Sequence, residues 1–273
     1  FALRFNKSMS KSQKELAFLQ DLTISKDWTE RFTNFTDKHL TFPKEGNFLY
    51  FNGGTVTHAL ELWETLEREV SINYVSDNPE LRKIAEAKVT VMKARIKFSE
   101  LSELESEFFD LVLADLSLVR PNKISEILDE ILFLTKKGGQ VAFFLPTAGS
   151  FGEIFSYLWE TFLDIELVEK SGEIERLINE IPTISQIEKI AAEAGLKKVS
   201  HETSLEFFDY ETGKDFINST LLTDFLFPVW LDFLSAKEQK QATKKIAQLI
   251  DDEYDKLSFR FTVKATLFQG TKQ

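Results

Sequence analysis

Polar residues with the chemistry of a ligand site follow three short apolar runs of this chain. They are Asn52, Gly53, Gly54 and Thr55 after the first run, Ser76 and Asp77 after the second, and Asp115 and Leu116 at the end of the third. A glycine turn that leads into a helix lets a ligand approach the backbone and meet the free N–H groups of the helix start. Ser76 and Asp77 lie 22 and 23 residues beyond Gly54, the usual offset for a side chain that binds a ribose. The spacing predicts a nucleotide-like ligand, although a two-glycine turn between a strand and a helix is more commonly only a turn.

Each ionisable candidate also has a purely structural interpretation. Asp77 precedes Asn78 and Pro79, an N-cap followed by proline at the first helical position, and this pattern favours a helix-entry turn over a ribose ligand. Asp115 ends a buried apolar run, where it would contact a ligand or act as a general base; the alternative is a solvated loop carboxylate. His58 would serve as a general base from the first turn of its helix, but a packing or surface role is favoured.

Two aromatic-rich segments are candidates for substrate contact. Trp28, Phe32 and Phe35 recur at spacings of four and three, which is typical of a helix face packed in the core rather than of a lid. The block Leu221–Leu231 is densely apolar and contains Phe227 and Trp230, the two predicted substrate contacts. Such a block suits an acyl or aromatic substrate pocket, a partner surface, or burial within the protein's own cap.

The elements that position these residues alternate between short apolar runs and helical patterns. Units of about thirty residues with this alternation are the signature of βαβ crossovers and a parallel sheet. The predicted strands are Phe48–Phe51, Ile72–Val75, Ile96–Phe98, Phe109–Asp115 and Val141–Leu145, the last after a turn at Gly138-Gly139. Ser25–Trp28 is predicted to cap a helix near the start, and further helices are predicted over 151–163, 172–180 and 183–194. A strand over Lys198–Tyr210, a helical block over 213–256 and a final strand over Phe259–Phe268 complete the chain.

The composition excludes several classes of protein. The 273 residues carry a formal charge of −11, which disfavours a nucleic-acid partner because phosphate neutralisation needs clustered Lys and Arg. There is no Cys and only three His, so we expect no disulfides and no metal site; the lack of Cys fits a reducing, cytoplasmic setting. The richest apolar stretch, Leu221–Leu234, is too short and too charged to span a bilayer. Gly is scarce, with 11 residues, and Phe is abundant, with 26.

Four stretches resemble the class I S-adenosylmethionine (SAM)-dependent methyltransferases: Asn47–Gly54 with its helix, Ser76–Leu81, Phe109–Asp115 and Leu134–Val141. Within that family, Pro182-Thr183 through Ala194-Gly195-Leu196 is most similar to the ubiquinone/menaquinone-biosynthesis and malonyl-carrier-protein branch, which acts on small molecules. The resemblance implies one α/β domain over 1–273 with a Rossmann-like, seven-stranded, mostly parallel sheet whose last strand is antiparallel. Its parts would be a helical N-terminal cap (1–46), a core (47–212), a helical insertion (213–256) and the final strand (257–273).

The same resemblance implies a SAM site and methyl transfer to a hydrophobic small molecule. The implied cofactor contacts are Asn52, Gly53, Gly54, Thr55, Ser76, Asp77, Asp115 and Leu116. However, the family's acidic residue and its three motif glycines fall on Tyr50, Asn52, Gly54 and Val56, and its ribose-binding acid falls on Ser76. Glu100 would replace the family's adenine-side acid, or it belongs to an acidic surface loop. The losses raise an alternative function, a catalytically silent methyltransferase-like subunit that binds or assembles with a protein partner.

Overall fold

A seven-stranded mixed sheet forms the centre of the protein. The computed structural model describes residues 11–66, 70–254 and 258–273. The strands are β1 (Gly46–Phe51), β2 (Val70–Val75), β3 (Ile96–Phe98), β4 (Phe109–Asp115), β5 (Thr135–Pro146), β6 (Leu196–Tyr210) and β7 (Phe259–Lys272), in the spatial order β3-β2-β1-β4-β5-β7-β6. The pairs from β3 to β5 are parallel, whereas β7 runs antiparallel to both β5 and β6. The predicted fold class is therefore confirmed.

Helices cover both faces of this sheet. They are α1 (Gln13–Leu19), α2 (Glu30–His39), α3 (Thr57–Thr65), α4 (Pro79–Met92), α5 (Ile124–Leu134), α6 (Gly152–Asp164), α7 (Ser171–Glu180), α8 (Ile184–Glu193), α9 (Gly213–Asn218), α10 (Phe227–Trp230) and α11 (Ala236–Tyr254). Successive side chains of a strand point to opposite faces. Accordingly, Phe48 and Tyr50 join the larger hydrophobic cluster under the N-terminal and insertion helices, while Leu49 and Phe51 join the smaller one with α5 and α8.

Helix ends follow local capping chemistry where the sequence supplies it. The Asn78 side chain accepts hydrogen bonds from the first turn of α4, as predicted, and Thr183 and Gln186 form a capping box at α8. The predicted helix start at Ser25–Trp28 is wrong. The helix begins at Gln13, after a capping box at Ser12, and continues through a π-helical segment, Gln20–Thr29, into α2.

The predicted turn at Gly138-Gly139 is also wrong, because β5 already begins at Thr135. Gly138 has φ +76°, and the register between β4 and β5 shifts beside it, between Phe109 and Leu111. Glycine therefore allows an irregular strand here rather than ending one.

The cap and the insertion are both helical. The predicted cap and insertion extend into residues 1–10 and 255–256, and the predicted final strand begins at residue 257; all of these lie outside the described residues. The insertion comprises α9, a π-helical segment at Leu221–Leu226, α10 and α11. Every helix in the described part of the chain is too short or too polar to cross a bilayer.

Candidate functional site

The turn after β1 has the positive φ angles that are typical of glycine, although it contains few glycines. Asn52, Gly54 and Val56 all have positive φ values, of +57°, +62° and +66°. Asn tolerates this left-handed region, whereas for a β-branched residue it is a true outlier. Val56 is nevertheless fully buried in the core, at the N-cap of α3. Packing of the Val56 side chain thus holds a backbone conformation that its own residue type disfavours.

Tyr50 occupies the space beside the glycine turn. A Cβ atom on Gly53 would overlap the Tyr50 ring, so Gly53 is required by this side chain. The Tyr50 hydroxyl lies 2.7 Å from Nδ1 of His58, whose Nε2 lies 2.9 Å from Oδ1 of Asp37. A carboxylate only accepts, so Nε2 donates to Asp37 and, in neutral His58, Nδ1 accepts the Tyr50 proton. Burial raises the pKa of Tyr50 well above its ordinary value.

His58 is only 5% exposed, so the surface role weighed from the sequence is wrong. Its burial agrees with the packing role, and the general-base role stays a prediction.

The N-terminal helices are bonded to the same turn by a second polar cluster. Thr55 Oγ1 donates to Asp21 Oδ1 at 2.5 Å, and Lys88 of α4 pairs with the same carboxylate. The Lys88 ammonium also lies 3.1 Å from Thr55 Oγ1. On the other side of the turn, the Tyr74 hydroxyl donates to the Gly54 carbonyl. The turn is therefore buried under polar contacts from the cap.

The ends of β2 and β3 carry the candidates for a nucleoside. Ser76 is half-buried and accepts from the Asn78 backbone N–H at 3.3 Å, while Asp77 is exposed and Asn78 alone caps α4. Ser99, after β3, is buried, and its hydroxyl has no partner among the described residues. Glu100 is exposed and pairs with an arginine of α4, in agreement with the acidic-surface-loop interpretation.

Asp115 is the buried carboxylate at the end of β4. It is 8% exposed, and burial raises its pKa to about 6, against the opposing effects of Ser117 and of His58. Its Oδ1 accepts from the Ser117 N–H at 2.9 Å and from the Ser117 hydroxyl at 2.6 Å. The Trp28 indole N–H donates to that hydroxyl oxygen at 2.9 Å. The solvated-loop interpretation of Asp115 is therefore wrong.

A cavity of about 200 Å³ opens beyond the carboxyl ends of β4 and β5, and its lining begins at Leu116 and Ser117, which directly follow Asp115 in the chain. Its lining is mainly apolar, with charged groups of Arg120, Arg176, Glu180 and Asp232 also present; the apolar residues include Leu116, Leu118, Val119, Leu145, Phe151, Leu226, Val229 and Trp230. The insertion supplies the last three of these residues. Phe227 does not line this cavity; it is buried against Phe216, with ring centroids 6.1 Å apart. The structure thus brings Leu116 and Trp230 together at the cavity and leaves Phe227 in the core.

Sequence reasoning missed the partners that the cap supplies. Asp21 and Asp37 contact residues 34 and 21 positions away, so no local spacing relates them to the strand ends. Lys88 lies within a helical pattern and Ser117 follows a strand end, and neither position carries a sequence signal of its contact. Trp28 was recognised as part of a core stripe, and its complete burial confirms that, but its indole N–H contact was not foreseen.

The polar groups present fit the nucleoside end of SAM. Ser76, Asp77 and Ser99 lie at adjacent strand ends, and Ser99 contributes the unpartnered buried hydroxyl. Gly54 leaves room as well, since a Cβ there would meet a single atom within 4 Å, at 3.9 Å. Beside Gly53, by contrast, the Tyr50 side chain already fills the space. Among residues 11–66, 70–254 and 258–273, no cluster of His, Asp and Glu has the arrangement of a metal site.

This strand order, with the turn after β1 opening at the carboxyl edge of the sheet, is the class I SAM-dependent methyltransferase fold. Among solved structures, the Bacillus subtilis YcgJ protein matches at 12% identity and a TM-score of 0.55, over 89% of this chain and 99% of that one. Phosphoethanolamine N-methyltransferase 2 of Haemonchus contortus, solved with phosphomonomethylethanolamine and S-adenosylhomocysteine, matches at 14% identity and a TM-score of 0.53. That match covers 96% of this chain and 61% of the other.

The same fold also occurs in a protein described by a different reaction. The [4+2]-cyclase SpnF matches at 15% identity and a TM-score of 0.51, over 98% of this chain and 99% of that one. No protein-family model and no curated protein sequence matches the chain. The similarity to the quinone-biosynthesis branch therefore stays a prediction, and the comparisons establish the fold.

Proposed function

We propose that this protein is a SAM-dependent methyltransferase that acts on a hydrophobic small molecule. The observation that carries the proposal is the apolar cavity under the insertion, which adjoins Leu116 and Ser117 at the end of β4. In an open α/β sheet, ligands bind outside the carboxyl ends of the strands. Some solved structures with this fold contain SAM or S-adenosylhomocysteine, which supports the choice of cofactor.

Different residues of this chain would bind the ligands and accept the proton. Ser76, Asp77 and Ser99 would hold the nucleoside, and the cavity would hold the acceptor and exclude water. When bound, SAM supplies an electrophilic methyl group. Asp115 would take the proton released by an attacking O–H or N–H group, so that the acceptor gains the methyl group and loses a proton. Much of the rate would come from positioning, which needs few conspicuous catalytic groups.

One observation favours a second candidate, the silent binding or assembly subunit. The Tyr50 ring takes the space next to Gly53, and its hydroxyl is engaged by His58. A carboxylate at that position would be free to meet a cationic ligand, whereas this tyrosine is committed to a buried network. In this second proposal, the fold keeps the cavity for a ligand or partner and has lost the cofactor.

Calorimetric titration with SAM and S-adenosylhomocysteine separates the two candidates. Micromolar binding is the expected result and would exclude the silent subunit as stated. An absence of both heat and thermal shift at millimolar cofactor would exclude the methyltransferase. Restoring glycine through Asn52→Gly and Val56→Gly should tighten binding about tenfold or more, equivalent to about 1.4 kcal/mol, because the backbone becomes approachable.

The matched control for these variants is Lys93→Gly. Lys93 also has a positive φ, of +52°, but it is exposed at the end of α4, away from the turn. This variant relieves the same kind of backbone strain, and it should leave the affinity for SAM unchanged. An equal gain in all three variants would mean that the effect came from general stabilisation rather than from access to the backbone.

A further inference from the structure

A directional hydrogen-bond chain joins the N-terminal cap to the buried carboxylate of β4. The Trp28 indole N–H reaches Ser117 Oγ at 2.9 Å, and the Ser117 hydroxyl reaches Asp115 Oδ1 at 2.6 Å. All three residues are buried, and Ser117 also lines the apolar cavity. Trp28 is fixed in turn by Phe32 and Phe208, with ring centroids 5.2 and 5.5 Å away.

The chemistry of the three groups determines the direction of this chain. An indole N–H only donates, so Ser117 Oγ must accept from Trp28. The single hydroxyl proton of Ser117 is then directed to Asp115 Oδ1, which also accepts from the Ser117 backbone N–H. The Ser117 N–H and the Ser117 hydroxyl, both in the loop, thus satisfy the hydrogen-bonding capacity of Asp115 Oδ1. Asp115 Oδ2 has no hydrogen-bond partner in the described parts of the chain, although the residue is more than nine-tenths buried.

We infer that Trp28 is a positioning residue: through Ser117 it directs proton uptake by Asp115 to a single oxygen, Oδ2. The inference rests on the proposed function in one respect, that Asp115 is the base. A proton leaving the acceptor's O–H or N–H group would form its new bond to Oδ2, while Oδ1 keeps both of its donors. Because Trp28 belongs to the cap, the chain of hydrogen bonds is complete only when the cap is docked.

Carbon-13 NMR of the full chain labelled at the Asp side-chain carboxyl carbon tests the inference without cofactor or substrate. The Asp115→Asn variant identifies the resonance, which is then followed against pH in the wild type, in Ser117→Ala and in Trp28→Phe. Donors to a carboxylate favour its charged form. Ser117→Ala should therefore raise the pKa of Asp115 by about one unit, and Trp28→Phe should raise it by a smaller amount. His58, Tyr50 and Tyr74, the other titratable groups that interact with Asp115, are unchanged in both variants.

The sign of the change distinguishes positioning from packing. If Trp28 only fills space, Trp28→Phe admits water, which relieves desolvation and lowers the pKa of Asp115. Trp159→Phe, in α6 and outside the chain of hydrogen bonds, is the control for the loss of an indole and should leave the titration unchanged. A pKa that is unchanged in Ser117→Ala, or lowered in Trp28→Phe, would overturn the inference. If Trp28→Phe does not fold, the pKa of Asp115 in Ser117→Ala alone tests the inference, because that variant removes only one small group. The outcome is independent of SAM binding, so the two proposals can fail separately.

Discussion

The polar side chains at the strand ends are bonded to residues of the chain itself. Tyr50, His58 and Asp37 form one network, and Trp28, Ser117 and Asp115 form another. In both, an intermediate residue links a group of the cap to a group at the end of a strand. The buried hydroxyl of Ser99 stands outside these networks. At the scale of single residues, the site therefore combines groups that are already satisfied with a few that are available to a ligand.

Asp115 gives the folded protein a predictable pH dependence. Its pKa is about 6 in the folded state, above the ordinary 3.8, so the folded state binds the proton more tightly. The resulting stability is fully present below about pH 4 and is lost as the pH rises through 6. A pKa increase of this size corresponds to about 3 kcal/mol in the free energy of unfolding, at 1.36 kcal/mol per pKa unit. The Asp115→Asn variant should lack this loss of stability with rising pH, which urea unfolding between pH 4 and pH 7 measures.

The control for this prediction is Asp77→Asn, just after β2, which is separated from β4 by β1. Asp77 is exposed, so its replacement should reproduce the pH profile of the wild type. A wild-type profile in Asp115→Asn would mean that its carboxylate is well solvated in the folded state.

The sequence predicts the residues of the site better than it predicts their contacts. Gly53, Gly54 and Asp115 were identified from their positions after apolar runs, which depends only on strand length and burial. The left-handed backbone of Val56 was not readable, because tertiary packing overrides its residue preference. The Tyr50–His58 bond was also missed, since an offset of eight residues across a turn matches no helical or strand period.

At the scale of secondary structure, the N-terminal cap is the element that defines the site. It runs without a break from α1 through the π-helical segment to α2, and it contacts the ends of β1 and β4. Strands β1, β2 and β4 were predicted nearly to their boundaries because their apolar runs are buried on both faces, whereas β5 begins six residues before its predicted start at Val141. The start of the cap was mispredicted because its Ser12 capping box precedes a polar, weakly patterned helix.

The Lys88 cluster should hold the π-helical segment in place. Lys88 bonds to Asp21, Thr55 and Thr57, so Lys88→Met leaves the Asp21 carboxylate without its cation. A loss of about 1 kcal/mol of local stability should increase the rate of amide hydrogen exchange over Gln20–Thr29 about fivefold. Mass spectrometry of the exchanged peptides measures the change.

Lys83→Met, on the same helix, provides the comparison. Lys83 makes only an exposed pair with Glu80, one turn away, and such pairs contribute little. Equal exchange in the two variants would show that the Lys88 cluster does not restrain the cap.

At the scale of the whole molecule, the insertion and the sheet enclose the cavity together. Val229→Trp, from the insertion, should fill that cavity and weaken binding of a neutral apolar dye about tenfold or more. Fluorescence titration measures the affinity. Val168→Trp adds the same ring at an exposed position away from the cavity, and it should bind the dye as the wild type does. Unaltered dye binding in Val229→Trp would place the dye elsewhere.

The order of the last two strands restricts when the protein can fold during synthesis. Among the described strands, β6 lies at the edge of the sheet and pairs with β7 alone, and β7 lies between β5 and β6. While the ribosome still holds residues 259–272, β6 has no partner with which to join the sheet, and its exposed Leu205 and Phe207 precede that partner by more than fifty residues. Completion of the sheet therefore waits until β7 has been synthesised and has left the ribosome. In that interval, the nascent chain presents an unpaired strand edge of the kind that chaperones shield from aggregation.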